Sequence, residues 1–249
     1  ESGITLNCTD PELGGDDNLA YRAAAQLAKR CDKEPALNIE LRKAIPVAAG
    51  LGGGSSDAAT TLRLCNRLWG AGLDRTELAT IGAELGSDVP LFFFLPAALL
   101  TGRGDRVEPV RLRWSGWVLL VFVDVVVSTA EVYRAWRASD AAGLPSGMDR
   151  AILEVSSADE LTPMLSNHLE PAVFRVSPTV ARACEELDRL GIGPMRVSGA
   201  GSALFRLFDN PEAARNAASR IENHGTGLRT LVVATPAGNG QDPIVSKEC

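Results

Sequence analysis

Gly50, Gly52, Gly53 and Gly54 crowd into five positions and are followed at once by Ser55, Ser56 and Asp57. Glycine at this density lets a backbone approach a ligand closely and turn consecutive N–H groups toward an anion. Ser55, Ser56 and Asp57 are helix-capping residue types, and the residues after them read as a helix. An anion held there would also meet the positive end of the helix dipole, worth about 0.3–2 kcal/mol. The stretch Pro46-Val47-Ala48-Ala49-Gly50-Leu51-Gly52-Gly53-Gly54-Ser55-Ser56 therefore reads as a phosphate cradle, with Asp57 as a cap. It is not a P-loop, which needs a lysine directly after its last glycine, and Ser55 stands where a dinucleotide fingerprint has its third glycine. A flexible Gly/Ser linker is the competing reading, disfavoured by the position between a strand pattern and a helix pattern.

Asp88 is the second chemical candidate. It lies in Leu85-Gly86-Ser87-Asp88-Val89-Pro90, a constrained turn from which a carboxylate could be aimed at a hydroxyl. Turn chemistry is the plainer role for Asp beside Gly, Ser and Pro, and spacing alone favours it. Ser198-Gly199-Ala200-Gly201-Ser202 is a second glycine patch between two strand patterns, by itself a hairpin turn. Asn18 and Lys43 are ordinary solvated types at a helix start and a strand edge. His168 and His224 have no metal partner at useful spacing, and no metal site is expected.

The elements that must hold these residues follow from periodicity. Ile4 to Cys8 and Leu37 to Leu41 alternate as half-buried strands. Leu19, Ala23 and Leu27 mark a first helix. Ala58, Leu62, Cys65 and Trp69 mark a second, closed by Gly70; Leu78, Ile81 and Leu85 mark a third, ending at Gly86. A second domain is expected from Trp117, with 1–116 forming the first. It opens with a strand from Trp117 to Val127, then a helix whose Ser128 and Glu131 have capping-box spacing and which carries Tyr133 and Trp136. A helix from Pro178 to the stop at Gly191 leads into strands at Met195–Val197 and Ala203–Phe208, a helix after Asn210-Pro211, and a strand from Leu228 to Ala234. This succession suits a ferredoxin-like α+β layer, and Gly238 to Cys249 reads as a loose tail.

Composition narrows the classes. The 249 residues are 45% hydrophobic and 22% charged, which supports real cores and excludes disorder. A net charge of −6 argues against nucleic acid and membrane surfaces as partners, while leaving room for one anionic substrate held locally. Trp117 to Val123 and Leu91 to Leu95 are the longest apolar runs, far short of the ~20 residues of a membrane span. Cys8, Cys31, Cys65, Cys184 and Cys249 are odd in number and scattered, which suggests free thiols in a reducing cytoplasm.

The Pro-x-x-x-Gly-Leu-Gly-x-x-Ser-Ser-x-Ala-Ala shape at residues 46–59 resembles the second signature of the GHMP small-molecule kinases. Asp17-Asn18-Leu19, Gly86-Ser87-Asp88-Val89-Pro90, Gly102-Arg103-Gly104-Asp105, Ser128 to Tyr133, Ser166-Asn167 and Ser198 to Gly201 agree in order and spacing. Together with the Gly-Gly-Gly-Ser-Ser-Asp form, they resemble the branch that phosphorylates a hydroxyl of a cytidine diphosphate-linked methylerythritol in non-mevalonate isoprenoid synthesis. The resemblance implies an α+β, two-domain fold: a partial N-terminal left-handed β-α-β type domain and a C-terminal ferredoxin-like domain.

It also implies ATP and Mg2+. Asp88 falls on the catalytic aspartate, and Asn18 and Lys43 fall near the adenine. Tyr133 falls on the aromatic that stacks on cytosine, Asn167 on the substrate side, and Ser198, Gly199, Ala200 and Gly201 on a third signature reaching phosphates or substrate. Other acceptors within the family, mevalonate-like compounds, homoserine or a sugar, remain alternatives, as does a non-catalytic nucleotide-binding fragment. The family's opening strand, with its Pro-Ala-Lys-hydrophobic-Asn motif, is missing before Glu1, so the chain is expected to be an N-terminal truncation with little or no kinase activity by itself.

Overall fold

The structure is a computed structural model that describes residues 3–102, 104, 106–141 and 148–236. The tail from Gly238 to Cys249, and Arg103 and Asp105 of the Gly102–Asp105 segment, lie outside the described residues. The chain forms two compact units, Glu1–Val47 with Gly52–Val110 and Ala48–Leu51 with Arg111–Cys249.

In the first unit, β1 (Gly3–Cys8) and β2 (Ala36–Leu41) pair in parallel, Ile4 opposite Leu37 and Leu6 opposite Ile39. Their alternation sends Ile4, Leu37 and Ile39 into a core made with α1 (Leu19–Arg30), α2 (Gly53–Leu68) and α3 (Arg75–Leu85). Ala23 and Ala24 of α1 and Ala58 and Ala59 of α2 are buried; small side chains let α1 and α2 approach closely around Leu27 and Leu62. Truncating either leucine to alanine would cost about 2–5 kcal/mol. The opposite face of the strand pair is polar: Asn7 donates to Asn38 and Glu40, and these amides hold the Glu40 carboxyl below the usual carboxylate range. A hairpin of β3 (Ala98–Thr101) and β4 (Arg106–Pro109) completes the unit.

The glycine-loop helix differs from expectation at its start. Ser55, Ser56 and Asp57 are not its caps: α2 begins at Gly53, and Gly52, at φ 67°, is the N-cap. Only a residue tolerant of left-handed backbone starts the helix this early. At the other end Gly70, at φ 60°, closes the helix as expected.

The second unit is built on an antiparallel sheet in the order β6-β7-β5-β8: β5 (Trp117–Phe122), β6 (Arg196–Val197), β7 (Leu204–Phe208) and β8 (Arg229–Ala234). Sequential strands placed in that order give the ferredoxin-like arrangement. Between β5 and β6 run α4 (Thr129–Ala135), α5 (Met148–Glu154), α6 (Ala158–Leu161), α7 (Glu170–Val176) and α8 (Pro178–Arg189); α9 (Pro211–Asn223) joins β7 to β8. Leu119, Val121, Val173, Leu187, Leu204 and Ile221 are buried together in its main core.

Two local readings change here. The strand from Trp117 ends at Phe122 rather than Val127, and Val126 is 82% exposed, so the apolar run past Phe122 is not all sheet. Ser128 accepts from the Glu131 N–H, but only this half of the capping box is formed.

Candidate active site

The amino end of α2 carries an unused set of donors. No side chain caps it, and the first loop-to-helix bond is Ser56 N to Gly52 O. Among the described residues no acceptor meets the N–H groups of Gly53, Gly54 or Ser55. A helix of 16 residues thus presents free donors and the positive end of its dipole at one place. Ser56 donates its hydroxyl to Gly53 O at 2.7 Å, bracing the first turn.

Contact is close at three of the glycines. A Cβ on Gly52 would lie 2.7 Å from the Phe92 ring, and one on Gly53 would lie 3.0 Å from Ile45 and 3.3 Å from Lys43 Nζ. A Cβ on Gly50 would lie 2.0 Å from the Ser198 carbonyl. Phe92 was not identified from sequence, where Leu91–Leu95 read simply as core; no local pattern marks which ring of that run meets a glycine.

Asp57 does not cap the helix. Its Oδ2 accepts from Lys43 Nζ at 2.6 Å, with both side chains largely withdrawn from solvent. This corrects the reading of Lys43 as an ordinary solvated side chain, and it answers the electrostatic difficulty of a carboxylate near an anion site. Lys43 supplies the compensating charge. Opposite charges flanking the glycine run were the available sequence signal.

Asn18 is the N-cap of α1: its Oδ1 accepts from Ala20 N and its Nδ2 donates to Leu13 O. Asp88 is exposed in the turn between α3 and the Pro90–Phe93 3₁₀ turn, as its sequence context predicts. Val89 and Phe93 anchor that turn in the core against Gly82, and Phe92 projects to Gly52, so one short segment ties Asp88 to the start of α2.

In the second unit, Ala48–Leu51 packs on the hairpin between β6 and β7. Ser198 Oγ donates to Gly50 O at 2.9 Å, Ser202 N to Ala48 O and Ala203 N to Ala49 O. Asn167 Nδ2 donates to Val197 O and Gly199 O, and Oδ1 accepts from Leu169 N. Tyr133 on α4 is 63% exposed. The Cys65 thiol is pushed up to about 11 by burial, and Cys184 to about 12 by burial and then by the nearby carboxylates of Glu170, Asp188 and Glu185.

Residues 18–95 match the model of the GHMP kinases N terminal domain and residues 150–227 that of the GHMP kinases C terminal domain. A 4-diphosphocytidyl-2-C-methyl-D-erythritol kinase of Geobacter sp. (strain M21) is 45% identical over 223 residues, 88% of this chain and 78% of the relative. The chain belongs to the GHMP kinase family. A second relative of the same name, from Shouchella clausii, is 37% identical over 230 residues, covering 92% of this chain and 75% of its own. A crystal structure of 4-(cytidine 5'-diphospho)-2C-methyl-D-erythritol kinase superposes with a TM-score of 0.75 at 34% identity, over 94% of this chain and 82% of that one. Homoserine kinase from Cytophaga hutchinsonii shares the GHMP kinase fold at 16% identity and a TM-score of 0.73, covering 94% and 82% of the two chains.

The Mg2+ expected of such a kinase has a plain test in the donor set. Among the described residues no three His, Cys, Asp or Glu side chains cluster for a metal. Magnesium is commonly held mainly by phosphate oxygens with one or two protein oxygens, and the Ser55 and Ser56 hydroxyls at the start of α2 fit that use. No helix among the described residues is long and apolar enough to cross a membrane.

Proposed function

We propose that this GHMP kinase transfers the γ-phosphoryl group of ATP to a hydroxyl of 4-diphosphocytidyl-2-C-methyl-D-erythritol, the compound in its relatives' names. The observation that carries the reading is the uncapped amino end of α2, whose Gly53, Gly54 and Ser55 amides have no protein acceptor among the described residues. They hold the phosphates, with Pro46 to Gly52 shaping the approach and Lys43 and Asn18 on the nucleotide side. The Ser55 or Ser56 hydroxyl would hold Mg2+ together with the phosphates, and the ion would supply charge neutralisation at the transferring group.

Asp88 accepts the proton of the acceptor hydroxyl, contributing about 10²–10⁴ in rate. The acceptor oxygen bonds to the γ-phosphorus as the bond to the β–γ bridging oxygen breaks, and ADP departs. Tyr133 offers an exposed ring for stacking on the cytosine, and the Ser198–Gly201 turn serves the acceptor side. The assignment includes a cytoplasmic location, which the free thiols of Cys8, Cys31, Cys65 and Cys184 suit, with no nucleic-acid or membrane partner.

The test is phosphoryl transfer by the full-length protein with ATP and Mg2+. The cytidine compound is compared with mevalonate, homoserine and sugars. Preference for the cytidine compound supports the assignment; preference for another acceptor redirects it within the family, and ATP binding without transfer to any of them overturns it.

A further inference from the structure

The polar atoms of Asn167 are spent on the chain itself. Both hydrogens of its amide are used, on Val197 O at 2.9 Å and Gly199 O at 2.7 Å, and Oδ1 receives the Leu169 N–H at 3.0 Å. Close by in the chain, Glu170 receives the Val197 N–H at 2.9 Å and pairs with Arg196 at 3.5 Å, so the strand entering the turn is held from the same side. The turn is closed by Gly201 N to Ser198 O at 2.8 Å and Ser198 N to Ala203 O at 2.9 Å.

That turn in turn grips residues 148 or more positions away. Ser198 Oγ meets Gly50 O, and the Ser202 and Ala203 amides meet Ala48 O and Ala49 O. The gripped loop needs a grip. Ala48 sits at φ 55° and Gly50 at φ 72°, left-handed conformations that local sequence does not enforce at Ala48. Contact is tight on both sides, since a Cβ on Gly199 would lie 3.2 Å from Gly50 O. The loop continues in the chain through Leu51 into Gly52, the N-cap of α2.

We infer that Asn167 is a positioning residue for the phosphate loop, acting through the Ser198–Gly201 turn and touching neither nucleotide nor acceptor. It shapes carbonyls that shape a hydroxyl, Ser198 Oγ, that fixes Gly50. The inference rests on the reading of this loop as the phosphate site, and one of its tests does not.

In the full-length protein, Asn167→Ala is expected to lower kcat on the order of 10²-fold, the scale of a small misplacement of bound groups, with the KM for the acceptor unchanged. Asn167→Asp, which has no amide hydrogens to donate, is expected to lose as much as the alanine variant. Ser198→Ala, a smaller change that keeps the fold if Asn167→Ala does not, is expected to lower kcat in the same sense, with losses that do not add in the double variant. Hydrogen exchange at the Ser202 and Ala203 amides reads the grip whatever the acceptor proves to be, and should speed up in both single variants. Unchanged exchange at these amides overturns the inference. So does a rise in acceptor KM with kcat intact, which would make Asn167 a substrate contact, or a lower melting temperature with kcat unaltered, which would make it merely structural. Accelerated exchange in a protein that phosphorylates none of the acceptors would sink the proposed function and sustain the grip.

Discussion

Lys43 Nζ lies 2.6 Å from Asp57 Oδ2, joining the segment that follows β2 to the second turn of α2 across the glycine loop. The pair is only 12% and 22% exposed, so neither charge is well solvated if its partner is lost. Asp57→Asn should therefore lower stability by about 1–3 kcal/mol, between the values for exposed and fully buried pairs. Urea unfolding would measure this, and a loss insensitive to added salt is expected because the pair is shielded. Lys43→Met should also raise the KM for ATP several-fold, if its ammonium serves the nucleotide as proposed.

Gly50 and Gly72 share a left-handed backbone, φ 72° and 70°, but differ in surroundings. Around Gly72 an added Cβ meets nothing within 4 Å, whereas at Gly50 it would lie 2.0 Å from the Ser198 carbonyl. Gly72→Ala should cost only the backbone penalty of about 1–2 kcal/mol. Gly50→Ala should exceed it and abolish activity, because the obstacle is backbone. Parallel thermal melts and kinase assays of the two variants make the comparison, and equal effects would contradict the close packing.

Asp88 is exposed and, among the described residues, makes one long contact, with Ser87 Oγ at 3.4 Å. Asp88→Asn should leave the melting temperature within about a degree or two, since surface substitutions of this kind shift stability little. The proposed proton transfer would nevertheless cost about 10²–10⁴ in kcat. Retained turnover in a steady-state assay would remove Asp88 from the chemistry.

Burial holds the Cys65 and Cys184 thiols protonated to about pH 11 and 12, against 9.0 for an ordinary cysteine. Below pH 9 both are protonated folded or unfolded; above it the unfolded chain loses these protons first, so stability falls between pH 9 and about 11–12. Urea midpoints should drop across that window, and less steeply in Cys65→Ala or Cys184→Ala. At about pH 8, thiol reagents should modify Cys8 and Cys31, which are less buried than Cys65, ahead of Cys65 and Cys184.

Local chemistry made much of this protein legible without coordinates. The alternation of Ile4 to Cys8 and of Leu37 to Leu41, the buried face of Ala58, Leu62 and Cys65, and the stops at Gly70 and Gly191 depend on neighbours a few residues away. So did the turn at Asp88 and the glycine-rich approach to a helix, because dihedral preference and periodicity are properties of short segments.

The contacts a residue makes across the chain were settled only by folding. Sequence offered Ser55 to Asp57 as caps; the tertiary structure began the helix at Gly53, turned Asp57 toward Lys43 and set Phe92 against Gly52. Resemblance put Asn167 on the substrate side, but that the hairpin between β6 and β7 brings two carbonyls to its amide is a feature of the fold alone. Hydrogen bonds and ion pairs select partners by distance in space, and separations such as the 148 positions between Gly50 and Ser198 leave no trace in a local pattern.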